Sequence, residues 1–114
     1  MRLKEIIEAL QLKVINDGGN LDSPVTGGYV GDLLSDVIAS GKQGDLWITI
    51  QVHENIIAVA TLKDLTAIVL AKNSQPLEET VESAREEDVT LLSSQMTSFE
   101  IISRLSELGV SGQR

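Results

Sequence analysis

The chain has 114 residues, of which 42% are hydrophobic, enough for one packed core and too few for two. Its 17 acidic and 9 basic residues leave a formal charge of −8, so no nucleic-acid partner is expected, because affinity for a phosphate backbone comes from Lys and Arg. The absence of cysteine excludes disulfides, thiolate metal sites and cysteine nucleophiles, and it fits a reducing compartment. No stretch approaches the ~18 consecutive apolar residues of a membrane span, and the N-terminus lacks a signal-like apolar run. A cytoplasmic protein is the expectation. With one Trp, one Tyr and one Phe, the core must be aliphatic.

Leu3, Ile6, Ile7 and Leu10 recur at helical spacing, which predicts a first helix over 2–10. Leu12 to Ile15 reads as a short strand, and Asn16-Asp17-Gly18-Gly19-Asn20 as a turn. Residues 21–30, with Pro24 and Gly27-Gly28, read as extended or looped. A helix follows over roughly 32–40, with Leu33, Leu34, Val37 and Ile38 on one face. Asp32 is its expected N-cap and Gly41 its expected C-terminal stop. Asp45 to Ile50 is a strand, and residues 54–63 form a broadly apolar helix. Thr66 to Ala71, β-branched and aliphatic throughout, has the composition of a strand buried on both faces. Pro76 suits the first turn of a helix reaching about Glu87. Val89 to Leu92 is a further buried strand. Thr97-Ser98-Phe99-Glu100 is a capping box that opens a helix with Phe99, Ile102, Leu105 and Leu108 on one face. Gly109 ends that helix, and Ser111 to Arg114 is expected to fray.

From residue 45 the elements alternate strand, helix, strand. That order predicts an α/β single domain, 1–114, with a mostly parallel central sheet flanked by helices. No internal repeat or linker divides it.

The motifs point away from catalysis. There is no GxxxxGK[ST] phosphate cradle and no GxGxxG dinucleotide fingerprint. The one histidine, His53, belongs to no metal-binding spacing, so neither a metal nor a cofactor is implied. A Ser93 or Ser94 nucleophile with His53 as base lacks the strand-turn-helix nucleophile pattern. Two places remain for a ligand. Gly27 and Gly28, ahead of Asp32, would let a backbone approach an anion, or else form a tight turn and a helix cap. The strand ends carry Thr49, His53, Asn73, Thr97 and Ser98 among other hydroxyls and amides. In open α/β sheets ligands sit beyond the carboxyl ends of the strands, although the same side chains also serve as helix caps.

The runs Gly28-Tyr29-Val30-Gly31-Asp32-Leu33-Leu34-Ser35-Asp36-Val37, Gly44-Asp45-Leu46-Trp47-Ile48-Thr49-Ile50-Gln51 and Asn55-Ile56-Ile57-Ala58-Val59-Ala60 resemble the DRTGG domain. Ala67-Ile68-Val69-Leu70, Pro76 and the helix opened by Thr97 fit the same pattern, so the resemblance covers about residues 3–110. It implies a fold like the N-terminal domain of HPr kinase/phosphorylase, without the separate P-loop domain that carries the kinase chemistry. It also implies a regulatory or subunit-contact role, and similar stand-alone domains are often encoded near iron-hydrogenase genes. The chain departs from the family where it matters for a shared site. His53-Glu54 stand in place of the family's Asp-Arg pair, and Ala71-Lys72-Asn73 in place of Thr-Gly-Gly. The expectation is a non-enzymatic regulatory or assembly module, homodimeric and linked to hydrogenase or energy metabolism. The alternative is a sensor of a nucleotide or other small phosphorylated ligand. Both leave room for a protein partner and neither involves a membrane.

Overall fold

The computed structural model describes residues 1–112. The elements run α1 (Leu3–Leu10), β1 (Lys13–Asn16), β2 (Gly27–Val30), α2 (Leu34–Ser40), β3 (Asp45–Thr49), α3 (Asn55–Lys63), β4 (Ala67–Leu70), α4 (Glu78–Glu86), β5 (Leu91–Ser93) and α5 (Ser98–Glu107). They build one five-stranded sheet in the order β1-β5-β4-β3-β2. Strands β2 to β5 are parallel, and β1 joins the far side of β5 antiparallel. The mostly parallel α/β architecture expected from the alternation is therefore present.

Each step from β2 to β5 moves to the adjacent strand in one direction. Crossovers of one hand then place α2, α3 and α4 together on one face of the sheet. They pack on one another in that order, while α1 and α5 pack together on the opposite face. Side chains of the strands divide accordingly. Leu46, Ile48, Ala67, Val69 and Leu92 cluster with Leu3, Ile6, Leu10, Ile101 and Leu105. Trp47, Ile68, Leu70 and Leu91 cluster with Val37, Ile56, Ile57, Val59, Ala60 and Ala84. Every residue of β3 and β4 is buried, as the apolar runs Leu46-Trp47-Ile48 and Ala67-Ile68-Val69-Leu70 require, and the two polar ends of β3, Asp45 and Thr49, are hydrogen-bonded. Each buried Leu or Ile contributes about 1.5–3 kcal/mol. Trp47 satisfies its one polar atom by donating from Nε1 to the Gly31 carbonyl at 2.9 Å.

Several local expectations are corrected. Gly27 to Val30 is an edge strand, neither a turn nor a helix cap. Helix α2 starts at Leu34, with Leu33 rather than Asp32 at the N-cap and no side-chain cap. Leu33 and Ile38 are exposed instead of sharing the buried face of Val37, because the sheet ends at β2 and none of the described residues covers the outer flank of α2. Gly41 ends α2 with φ −64°, not in the left-handed region. Glycine suits that position through close approach, since a Cβ there would stand 2.7 Å from the Val37 carbonyl oxygen. Pro76 precedes the N-cap Leu77 of α4 and so lies just outside the first turn.

In α5 the capping box forms as expected, with Thr97 Oγ1 accepting from the Glu100 N–H. Its buried face, however, is Ile101 and Leu105, and Phe99 is 83% exposed. A spacing of three residues drifts about 60° per step around an α-helix, so only the end of the Phe99-Ile102-Leu105-Leu108 row meets the core. The expected fraying is also wrong at Ser111, whose carbonyl accepts from the Gly28 N–H at 3.0 Å on the outer edge of β2. Gln113 and Arg114 lie outside the described residues.

Gly44, in the turn before β3, has φ +85°, and a Cβ there would meet Thr26 Oγ1 at 2.2 Å. Gly109 has φ +89° with open space around it. Gly44→Ala should therefore destabilise the domain by about 2 kcal/mol and Gly109→Ala by about 1 kcal/mol, read as a loss of urea midpoint at constant m.

Candidate functional site

The carboxyl ends of β2 to β5 meet at one end of the sheet. Because β1 runs antiparallel, its first residue, Lys13, lies there too, opposite Ser93 in the register. Over β2 and β3 the polar groups are occupied by one another. Asp32 Oδ1 accepts from Thr49 Oγ1 at 2.7 Å and from the Ile50 N–H at 2.9 Å. Gln51 Nε2 donates to the Asp32 carbonyl at 2.9 Å, and the Gln51 N–H donates to Thr49 Oγ1 at 3.1 Å. This network closes the strand ends and satisfies a fully buried threonine.

Over β4 and β5 the arrangement is open. Lys72 and Asn73, directly after β4, both have left-handed backbones, with φ of 58° and 55°. Their N–H groups donate to the Met96 and Ser94 carbonyls at 2.8 Å each. Two residues in a costly conformation thus pin the loop between β5 and α5. That loop forms one wall of a cleft of about 680 Å³, lined by Ala9, Leu10, Gln11, Lys13, Asn73, Ser93, Ser94, Gln95, Met96 and Arg104. This is a size typical of small-molecule sites. Lys13 comes from β1 and Arg104 from α5, and no carboxylate lines the cleft. Among the described residues the ion pairs are Arg2 with Glu5 and Asp22, and Lys4 with Asp22, so both cleft cations are free of salt bridges.

The displaced titrations lie elsewhere. The Arg2 backbone N–H holds the Glu5 carboxyl below its usual range, and a hydrogen bond from Lys4 does the same to Asp22. The Asp36 carboxylate, bonded to the Tyr29 hydroxyl, pushes the phenol up. A second groove, of about 370 Å³ and largely apolar, runs between β2 and α5 along Val30, Ile48, Ile102, Leu105 and Val110. Among the described residues no three His, Cys, Asp or Glu side chains gather to hold a metal, and no helix is long and apolar enough to cross a membrane.

Of the eight residues singled out for a ligand site, Asn73 lines the large cleft, and so do Ser93, Ser94 and Gln95 from the wider set of strand-end hydroxyls and amides. Gly27 sits beside Asp45 at the amino end of the parallel strands, far along β2 from the crest. Gly28 lines the apolar groove. Asp32 and Thr49 are bound to each other. His53 is exposed, and its carbonyl accepts from the Ile56 N–H at the start of α3. Thr97 caps α5 together with Glu100, and Ser98 is the first residue of that helix. Gln11, Lys13 and Arg104 were missed by sequence reasoning. The available signal for Arg104 was its place at the edge of the buried stripe of α5, about 60° around the helix from Ile101 and about 100° from Leu105. The direction of β1, which brings Lys13 to this end, had none.

A family model, the DRTGG domain, matches residues 5–108. Comparison with curated proteins finds no sequence match. Among solved structures, the chain is similar to the CBS and DRTGG domains of the regulatory region of Clostridium perfringens pyrophosphatase, complexed with its activator diadenosine tetraphosphate. The TM-score is 0.69 at 15% identity, over 91% of this chain and 45% of that one. At that identity the likeness speaks for the fold. The chain spans less than half the length of the pyrophosphatase fragment.

The left-handed backbone at Lys72 is one that glycine adopts without steric cost, so Lys72→Gly should stabilise the domain by a few tenths to about 1 kcal/mol despite the added freedom of the unfolded chain. Thermal or urea denaturation checks this, and Asn73→Gly should change less, since asparagine tolerates the left-handed region.

Proposed function

The chain belongs to the DRTGG domain family, and from that premise we propose that it is a non-catalytic regulatory module whose effector is a small polar molecule held in the cleft between α1, β1 and α5. The observation that carries this reading is the cleft itself. It lies where parallel α/β sheets bind ligands, it is large enough for a nucleotide, and its lining is rich in hydrogen-bonding side chains. Its lining holds no histidine, cysteine, carboxylate or tyrosine, and Lys13 is the one side chain there of a type that can act as a general acid or base. The activator bound in the pyrophosphatase regulatory region supports a nucleotide as the first class to test. The link to hydrogenase or energy metabolism rests on the family resemblance alone. It puts adenine and nicotinamide nucleotides at the head of the panel.

Thermal shift against nucleotides, dinucleoside polyphosphates and sugar phosphates tests the proposal. A ligand at 100 times its Kd should add about 2.7 kcal/mol, a rise on the order of 10 °C for a domain of this size. No shift with any member would remove the effector reading.

A second reading, assembly as a homodimer, is favoured by a different observation. Val30 and Ile102 are exposed in the apolar groove, and Phe99, the most exposed large hydrophobic residue, stands one turn before Ile102 on α5. A stable two-fold interface buries about 1,600 Å² in total. Light scattering with size exclusion should then give a dimer at micromolar concentration that Phe99→Glu returns to monomer. A monomeric wild type would sink this reading.

A further inference from the structure

The effector reading leaves the ligand's chemistry open, and the hydrogen-bond pattern inside the cleft narrows it. Resting on that reading, we infer that the ligand is an anion of the phosphorylated-metabolite class, gripped from two walls by Lys13 and Arg104, with Asn73 and Ser94 as neutral donors.

Charge is the first ground. In a chain with 17 acidic and 9 basic residues, a lining that holds two cations and no carboxylate runs against the overall sign. The two cations come from different elements and neither is spent in a salt bridge among the described residues. A guanidinium offers a planar fork and an ammonium a compact point charge, a combination that suits the several oxygens of a phosphoryl group. Helix ends modify this only slightly. The carboxyl end of α1 brings at most about half a negative charge to the cleft. Part of it is offset where the Gln11 and Leu12 N–H groups donate to the Glu8 and Ile7 carbonyls.

Donor polarity is the second, independent ground. The Asn73 side-chain oxygen accepts from Gln75 Nε2 at 3.2 Å, which leaves the Asn73 amide N–H groups unspent among the described residues. Ser94 Oγ accepts from the Met96 N–H at 3.0 Å, which leaves its O–H to donate. Two neutral groups of the lining thus have an acceptor occupied and a donor to offer. Together with the two cations these donors favour acceptor-rich, negatively charged groups, while the amides of Gln11 and Gln95 can serve as donor or acceptor. The volume exceeds what a phosphate alone needs, and Ala9, Leu10 and Met96 add an apolar wall for the organic part of the molecule.

The test is calorimetry on the full chain with matched pairs, AMP against adenosine and NADP against NAD, with inorganic pyrophosphate as competitor. The more highly phosphorylated member of at least one pair should bind ten-fold or more tighter, be displaced by pyrophosphate, and weaken as salt is raised. Lys13→Ala and Arg104→Ala should each cost about ten-fold, Lys13→Arg should restore most of the loss, and Lys42→Ala, at an exposed cation at the amino end of β3 and outside the lining, should leave affinity unchanged. Both target side chains are exposed, so the variants should melt like the wild type. Equal binding of both members of every pair, or unchanged affinity in the Lys13 and Arg104 variants, overturns the two-point grip while leaving a cleft effector standing. No binding by any probe overturns both.

Discussion

The double-sided burial of β3 and β4 is the constraint from which the rest of the molecule follows. A strand with no hydrophilic face must be covered above and below, and its backbone must be paired on both edges. Here β3 lies between β2 and β4, and β4 between β3 and β5. The crossover helices α2, α3 and α4 cover one face as a consequence of chirality. The other face receives no crossover, so the two ends of the chain must supply it. Leu3, Ile6 and Leu10 of α1 and Ile101 and Leu105 of α5 close that side.

That division of labour creates the cleft. Helices α1 and α5 meet over the sheet, and the chain turns at Gln11 and Leu12 from the end of α1 straight into β1, which runs antiparallel along the edge of β5. The gap between the end of α1, the start of β1 and the loop before α5 is what remains. The position of the cleft thus reflects how the terminal helices cover a face that the parallel strands leave bare. Its charge reflects residues from both ends of the sequence, Lys13 and Arg104.

The two halves of the strand crest differ in how their polar groups are used. At β2 and β3, Asp32, Thr49 and Gln51 satisfy one another, and the arrangement holds structure together. At β4 and β5, two left-handed residues are held by the backbone carbonyls of the next loop, and side-chain donors are left over. Strain of that kind persists only where the surroundings over-determine it, and it lies beside the cleft rather than at the closed half of the crest.

Much was legible in the amino-acid sequence because the signals are local. Continuous apolar runs such as Ala67 to Leu70 mark buried strands, and Thr97 with Glu100 marks a helix start. The sequence by itself determined the α/β class, the approximate span of every helix and the lack of catalytic motifs. Tertiary structure alone decided that Gly27 and Gly28 lie in an edge strand, that Asp32 binds Thr49 instead of capping α2, and that Ile101 rather than Phe99 faces the core. It also brought Lys13 and Arg104 into the lining of one cleft. The physical reason is distance along the chain. Caps and periodicity act over three or four residues, whereas the direction of β1 and the seating of α5 depend on which sheet surface is left uncovered.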